Sequence, residues 1–158
     1  MSLKKIFDMA NFSQVALVVR DAETVKRNWA AILGVEVPPT APYTDPEITK
    51  TRCFGVDAPL ANSKLVFFDI APGIQLELIE PNEEHSVWRD EMERLEEGLH
   101  HIAFNVKNIN EVAKELVEEY DAVIEQEGFY GDGSGKYIYL DLKKMLKVRV
   151  ELLESFNN

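Results

Sequence analysis

The feature that most constrains the fold of this chain is an internal repeat that relates its two halves. Residues 12–25 read FSQVALVVRDAETV and residues 99–112 read LHHIAFNVKNINEV, which aligns Gln14 with His101. In each copy a run of apolar and β-branched residues precedes an amphipathic pattern, as expected for a strand followed by a helix. The repeat therefore predicts two copies of one strand-and-helix unit.

A second pair of similar segments lies towards the end of each half. Residues 74–80 read IQLELIE and residues 148–154 read VRVELLE, which aligns Glu77 with Glu151. Two weaker strand patterns precede each half's final strand, near residues 49–55 and 63–70 in the first half. Each half is therefore predicted to be a β-α-β-β-β unit, and the chain to be an α+β protein with two tandem units.

We expect the first unit to span residues 11–81 and the second to span residues 98–155, together forming one domain. Residues 82–97 are predicted to form a linker helix that Ser86 caps at its N-terminus. An apolar stripe on this helix is expected from the spacing of Trp88, Met92 and Leu95.

The helix of each unit has recognisable end signals. Asp21 is placed to cap the first helix, and Gly34 follows its last periodic residue, where a C-cap glycine is expected. In the second unit the residues 108–111, Asn-Ile-Asn-Glu, resemble a capping box at the start of the helix.

Composition limits the possible partners and the compartment. The formal net charge of −11 disfavours nucleic acid and anionic membrane surfaces as partners. The single Cys53 cannot form an internal disulfide and fits a reducing environment, and no apolar run is long enough for a membrane span. The N-terminus lacks the apolar core of a secretory signal, so we expect a cytoplasmic protein.

Strand alternation indicates which side chains face the interior of the sheet. In residues 99–106, His100 shares the more apolar face, which should pack against the helices, while His101 lies on the other face. Gln14 is expected to face inward like its repeat partner, and the next inward residue in each strand is a small alanine, Ala16 or Ala103. His100 is therefore predicted to be a core or interface residue.

Glu77 and Glu151 are unusual because a carboxylate in the middle of a strand is costly to bury without a partner. A lone strand histidine or glutamate is more often exposed or paired, but here four polar residues occupy repeat-equivalent positions. One imidazole nitrogen and three oxygens suit Mn²⁺, Fe²⁺, Co²⁺, Ni²⁺ or Zn²⁺ with positions open for substrate. The sequence thus predicts a metal site made by Gln14, Glu77, His101 and Glu151.

These motifs resemble the vicinal oxygen chelate superfamily, which includes glyoxalase I, methylmalonyl-CoA epimerase, extradiol dioxygenases and bleomycin-resistance proteins. The resemblance covers residues 12–154. Its motifs are Gln14-Val-Ala-Leu-Val-Val, Leu76-Glu-Leu-Ile-Glu-Pro81, Gly98-Leu-His-His-Ile-Ala-Phe104 and Val150-Glu-Leu-Leu153. It implies a cupped mixed sheet with helices on its outer face and a divalent metal (zinc, nickel, cobalt or manganese) held by the four residues above. A homodimer is also implied.

The resemblance to particular members leaves the substrate open. The ligand order Gln, Glu, His, Glu is similar to that of glyoxalase I, a lactoylglutathione lyase. However, Val18 and Pro81 stand where glyoxalase I has side chains that hold glutathione, and the segments around Glu77 and His101 look as much like the epimerases. A drug-sequestering binding protein is a further alternative, whereas oxygen-dependent ring cleavage lacks a second inward histidine.

The implied reaction is proton transfer through an enediolate or enolate. The substrate would be a small molecule chelated through two oxygens, with the metal acting as Lewis acid. We predict that Glu151 is the catalytic base and that Glu77, opposite it, is the acid or base on the other face.

Three other features have more than one interpretation. Arg149, inward beside Glu151, is expected either to meet a substrate anion or to pair with a carboxylate. The segment 131–136, GDGSGK, lacks the spacing of a phosphate loop and is predicted to be a hairpin loop or mobile rim. Three tyrosines are expected either to line a pocket or simply to pack in the core, namely Tyr130, Tyr137 and Tyr139.

Overall fold

The computed structural model of the protein describes residues 4–157. The strands are β1 (Phe12–Val18), β2 (Arg52–Cys53), β3 (Val56–Asp57), β4 (Ser63–Ala71), β5 (Ile74–Pro81), β6 (Gly98–Asn105), β7 (Val123–Phe129), β8 (Gly135–Asp141) and β9 (Arg149–Ser155). The helices are α1 (Ala22–Leu33), α2 (Pro46–Thr49), α3 (Val87–Leu95), α4 (Ile109–Tyr120) and α5 (Lys143–Leu146). Within the described range, no helix is both long enough and apolar enough to cross a membrane.

The strands form one open, curled sheet in the order β3-β2-β7-β8-β9-β6-β1-β5-β4. At its centre β1 pairs antiparallel with β6, and each of these strands pairs on its other side with a parallel strand, β5 or β9. The two halves are thus related across the β1–β6 pair, as the repeat predicts. The predicted α+β class with a cupped mixed sheet is confirmed.

The strand predicted near residues 49–55 does not join the other strands of its own half. It is the short β2–β3 hairpin, and β2 pairs with β7 of the second half, with Arg52 opposite Glu127 and Cys53 opposite Gln126. The predicted β-α-β-β-β order along the chain does not specify this pairing between the two halves. Local propensity identifies an extended segment but does not specify a distant pairing partner.

The helices pack on two sides of the sheet. Helices α1 and α4 cover the outer face through separate apolar clusters, one for each half. Helix α3 contributes Trp88 and Met92 to a third cluster on the inner face, where they meet Tyr139. Leu95, predicted to belong to the same stripe, is 54% exposed because α3 ends at this residue.

The predicted caps at both ends of α1 and at the N-terminus of α3 are confirmed, whereas α3 spans Val87–Leu95 and is shorter than the predicted linker helix. The Asp21 side chain accepts a hydrogen bond from the Thr24 N–H (3.0 Å), and Gly34 adopts a left-handed conformation (φ 68°) after the helix. In α3, Ser86 Oγ accepts from the Arg89 N–H at 3.0 Å. These side chains satisfy N–H groups that the first turn of a helix leaves unpaired.

Helix α4 is capped by a different residue from the one that the sequence indicates. Asn108 adopts a left-handed conformation and makes no side-chain cap, so the predicted capping box is wrong. The Glu154 carboxylate instead accepts from the Asn108 N–H (3.0 Å) and the Ile109 N–H (2.9 Å). Its repeat partner Glu80 accepts from the Ala22 N–H at 2.8 Å. In each half, the last glutamate of the repeated strand motif therefore caps the helix of that half.

Arg149 is the centre of a buried charge network beneath the inner face. Its side chain is 2% exposed, and its guanidinium donates to the carboxylates of Glu125 and Glu91. It also donates to the His100 carbonyl at 3.1 Å, while Lys143 donates to Glu91 at 3.1 Å. Of the two roles left open for Arg149, pairing with carboxylates is the one observed.

Candidate metal centre

Three of the four predicted ligands converge at the centre of the sheet. Glu77 on β5, His101 on β6 and Glu151 on β9 are 6%, 0% and 4% exposed. His101 Nε2 lies 2.8 Å from Glu151 Oε2 and 3.4 Å from Glu77 Oε2. One donor atom from each residue falls within 4.8 Å of the others. Both halves of a single chain therefore supply this cluster.

Gln14 lies on β1, the strand between β5 and β6. Its strand neighbour Ala16 is paired with Glu77 on one side and with His101 on the other. The side chain is buried, and it lines the same cavity as Glu77 and Glu151. Gln14 Nε2 donates to Gln75 Oε1 at 3.2 Å, which leaves Gln14 Oε1 as the free end of the amide.

The four predicted ligands each have a buried polar atom without a hydrogen-bond partner among the described residues. The atoms are Gln14 Oε1, Glu77 Oε2, His101 Nε2 and Glu151 Oε2. The contact between His101 and Glu151 is close, but its geometry is not that of a hydrogen bond. Buried polar atoms are rarely left unpaired, because each costs about 1–3 kcal/mol. One nitrogen and three oxygens without hydrogen-bond partners fit a divalent cation.

Burial and mutual charge determine the protonation of this cluster. Burial lowers the pKa of His101, but the carboxylates of Glu151 and Glu77 outweigh burial and raise that pKa to about 9. Burial raises the pKa of Glu151, and the charge of His101 opposes this increase. The two carboxylates therefore require a positive charge between them, which either a proton on His101 or a metal ion can supply.

His100 is closer to the site than strand alternation predicts. Ala16 pairs with His101 and Leu17 pairs with Leu99, so His100 is an extra residue in β6 without a partner on β1. This β-bulge places its ring against His101 and Tyr139, and the predicted position on the helix face is wrong. The prediction that His100 is a core residue is confirmed.

The two histidines interact through their Nδ1 atoms, which lie 2.9 Å apart. Burial holds the pKa of His100 well below its usual value, so this ring is neutral. When His101 uses the Nε2 lone pair to bind a metal, its Nδ1 carries the proton and donates to His100 Nδ1. His100 thus holds the ring of His101 in one orientation. Alternation gave no signal for this role because it does not reveal a bulge.

A cavity of about 580 Å³ opens beside Gln14, Glu77 and Glu151. Aromatic side chains make much of its wall, namely Phe67, Trp88, Phe129, Tyr130, Tyr137 and Tyr139. The three tyrosines are therefore lining residues. Trp88 was not identified as one from sequence, because its helical spacing indicates only that it is buried. The β7–β8 turn at residues 131–134 forms part of the rim, which confirms the predicted hairpin loop.

Metal binding at these donors is expected to stabilise the fold. Adding Zn²⁺ to chelator-treated protein should raise the free energy of unfolding by about 2.7 kcal/mol when free metal is about 100 times its Kd. Thermal unfolding with and without metal measures the effect. At the same free Zn²⁺ concentration, Glu77→Gln should show a smaller increase, because it removes a charged ligand and raises the Kd.

The matched control for this measurement is Glu80→Gln. Glu80 lies on the same strand as Glu77, and its carboxylate caps α1. It should lower stability but keep the full increase on adding Zn²⁺. An equal increase in Glu77→Gln and the wild-type protein would contradict metal binding at this cluster.

Comparison with known proteins adds two findings. The family profile described as the Glyoxalase/Bleomycin resistance protein/Dioxygenase superfamily matches residues 13–139. Among curated proteins, no match is found.

Several solved structures have the same fold. A hypothetical protein from Bacillus halodurans C-125 is 23% identical to this chain, with a TM-score of 0.61. The match covers 91% of this chain and 93% of that protein. A variant methylmalonyl-CoA epimerase from Streptomyces coelicolor, in complex with 2-nitronate-propionyl-CoA, is 20% identical with a TM-score of 0.61 (92% and 96% covered). Methylmalonyl-CoA epimerase from Mycobacterium tuberculosis is 16% identical with a TM-score of 0.64 (98% and 93% covered). At these identities, the matches show similarity of fold alone.

Proposed function

Because the chain belongs to the glyoxalase/bleomycin resistance/dioxygenase superfamily, we propose that it is a divalent-metal-dependent enzyme that transfers a proton at a carbon beside a carbonyl. The observation that carries the proposal is that Gln14, Glu77, His101 and Glu151 each have an unpaired buried donor atom, and that all of these residues except His101 line a ligand-sized cavity. A site that needs both a metal and carboxylates suits proton transfer better than simple binding.

In this proposal Gln14, Glu77, His101 and Glu151 hold the metal. A bound divalent cation supplies Lewis-acid stabilisation of the negative charge that develops on the substrate oxygens in an enolate or enediolate. His100 keeps His101 in the orientation that directs Nε2 towards the cation. The aromatic wall around Tyr139 excludes water, which strengthens these interactions.

Glu151 is the proposed base and Glu77 the proposed acid. Burial raises the pKa of Glu151, which brings it nearer to the pH at which a general base is effective. Strand β9 carries Glu151 on one side of the central β1–β6 pair, and β5 carries Glu77 on the other side. Two carboxylates that approach from opposite sides suit an epimerase, which removes a proton from one face of a carbon and returns one to the other.

The proposed reaction is closer to that of an epimerase than to that of a lactoylglutathione lyase. The solved neighbours include methylmalonyl-CoA epimerases, which supports this type of reaction. Val18, at a position that corresponds to a glutathione contact in glyoxalase I, is 1% exposed and is packed in the inner cluster. A drug-sequestering protein is a poorer alternative, because an apolar cup gains nothing from buried carboxylates without partners.

Solvent-deuterium exchange tests this function. The protein is loaded in turn with Zn²⁺, Ni²⁺, Co²⁺ or Mn²⁺ and incubated in D₂O with methylmalonyl-CoA, with the hemithioacetal of methylglyoxal and glutathione, or with an uncharged α-hydroxyketone. We expect at least one compound to exchange its α-proton faster with loaded protein than with chelator-treated protein, as followed by mass spectrometry. Loaded protein that exchanges none of these compounds would contradict the proposal.

A further inference from the structure

The charges that line the cavity restrict which substrate it accepts. In the part of the chain that the structure describes, no lysine or arginine side chain lines the cavity. Its charged lining residues are Glu77, Glu151 and Asp132. A divalent cation held by Glu77 and Glu151 makes a site with no net charge, so Asp132 leaves the whole cavity slightly negative.

Basic residues next to the lining do not supply the missing charge. Most of those that are adjacent or close in sequence to lining residues are paired with a carboxylate of the chain, and Lys50, between Thr49 and Thr51, is exposed and is not a lining residue. The pairs include Arg149 with Glu125, Lys136 with Glu127 (3.2 Å) and Lys64 with Glu80 (3.4 Å). A phosphate or carboxylate inside the cavity but away from the metal-binding end would therefore be desolvated without a counter-charge from a lining side chain, which is unfavourable.

The remaining lining is apolar or neutral. Trp88, Tyr137 and Tyr139 form a continuous aromatic wall, with ring centroids 5.1 Å apart between the tyrosines and 6.3 Å from each tyrosine to the tryptophan. Their polar ends are already paired, since Trp88 Nε1 donates to the Tyr139 hydroxyl (2.9 Å) and Gln126 donates to the Tyr137 hydroxyl (3.1 Å). The wall therefore offers ring faces to a ligand.

Neutral polar groups also line the cavity. Thr51, Ser63 and Asn105 contribute hydroxyl and amide groups, which can bond to hydroxyl or carbonyl groups of a ligand without requiring charge. A volume of about 580 Å³ is in the usual range for a small-molecule site. The cavity thus combines an apolar wall, a neutral polar side and a metal-binding end.

We propose that the substrate is an uncharged, ring-bearing molecule with two adjacent oxygens, such as an aryl α-hydroxyketone, and not a coenzyme A thioester or a glutathione adduct. This inference rests on the proposed function for the reaction, but its statement about charge concerns the cavity alone. The two oxygens bind at the end formed by Glu77 and Glu151, and the ring lies against Trp88 and Tyr139.

A matched pair of compounds tests the inference by binding. Phenylacetylcarbinol is an uncharged α-hydroxyketone with one phenyl ring, and its para-carboxylated analogue differs by a single negative charge. Isothermal titration calorimetry on Zn²⁺-loaded protein should show that the charged analogue binds at least about tenfold more weakly. Equal or tighter binding of the charged analogue, or no binding of either compound, would overturn the inference.

A positive charge placed at the rim should remove most of the discrimination between the two compounds. Asn105 is exposed and lines the cavity, so Asn105→Lys adds a cation there with little effect on packing. We expect the affinities for the two compounds to differ by less than about threefold in this variant. Asn105→Gln, the matched neutral variant, should keep the tenfold preference, and equal behaviour of the two variants would contradict the argument from charge.

Exchange measurements on the same pair separate this inference from the proposed function. If the uncharged compound binds more tightly but neither compound exchanges its α-proton, the inference on charge is supported and the proposed reaction fails for this substrate class. If methylmalonyl-CoA exchanges faster than phenylacetylcarbinol, the reaction stands and the substrate class proposed for this cavity is wrong.

Discussion

Glu151→Gln is expected to lower the rate of α-proton exchange by about 10²- to 10⁴-fold, the usual contribution of a positioned general base. The amide keeps the size and one ligand oxygen of the side chain but cannot accept a proton at neutral pH. Metal binding should persist in weakened form, because Gln14, Glu77 and His101 remain. The test is the exchange rate of the metal-loaded variant, together with its metal content.

Glu154→Gln is the control for this prediction. Glu154 lies on the same strand, outside the cavity lining, and caps α4 through the Asn108 and Ile109 N–H groups. Its substitution should reduce stability without a comparable loss of exchange. Unchanged turnover in Glu151→Gln at full metal loading would contradict the assignment of Glu151 as base.

Arg149→Met is expected to produce the largest loss of stability among the substitutions considered, about 3–5 kcal/mol. The methionine fills part of the volume but leaves the buried carboxylates of Glu125 and Glu91 without the guanidinium, and only Glu91 retains Lys143. The free energy of unfolding, from urea denaturation monitored by circular dichroism, measures the loss. Metal-free protein should be used so that a change in metal affinity does not contribute.

Arg89→Met is the matched comparison, because Arg89 also contacts two carboxylates, those of Glu83 and Glu93. Those partners are largely exposed, and exposed ion pairs contribute little to stability. We therefore expect a much smaller loss than for Arg149→Met. Similar losses in the two variants would show that burial does not increase the contribution of the Arg149 network to the free energy of unfolding.

The sequence is informative about the donors because the repeat and the strand period act together. The repeat aligned Gln14 with His101 and Glu77 with Glu151, and alternation directed His101 inward. In the structure, one donor atom from each of Glu77, His101 and Glu151 lies within 4.8 Å of the others, and Gln14 lines the same cavity as the two glutamates. Their roles as ligands, and the roles of Glu151 and Glu77 in catalysis, stay predictions.

The sequence is less informative where a single residue or a distant partner decides the outcome. One extra residue in β6 brought His100 next to His101, because a shift of one residue exchanges the faces of a strand. The pairing of β2 with β7 and the capping of α4 by Glu154 both join residues far apart in the chain. Local patterns do not specify such partners. The homodimer implied by the resemblance also stays a prediction.

X-ray absorption spectroscopy of Zn²⁺-loaded protein tests the central claim most directly. With one equivalent of metal bound per chain, we predict a first shell of oxygen and nitrogen atoms that includes one imidazole and no sulfur. His101→Ala should remove the imidazole contribution, whereas His85→Ala, in an exposed residue, should not. Protein that binds no stoichiometric metal, or a spectrum with sulfur or with an imidazole signal that survives in His101→Ala, would contradict a metal centre formed by Gln14, Glu77, His101 and Glu151.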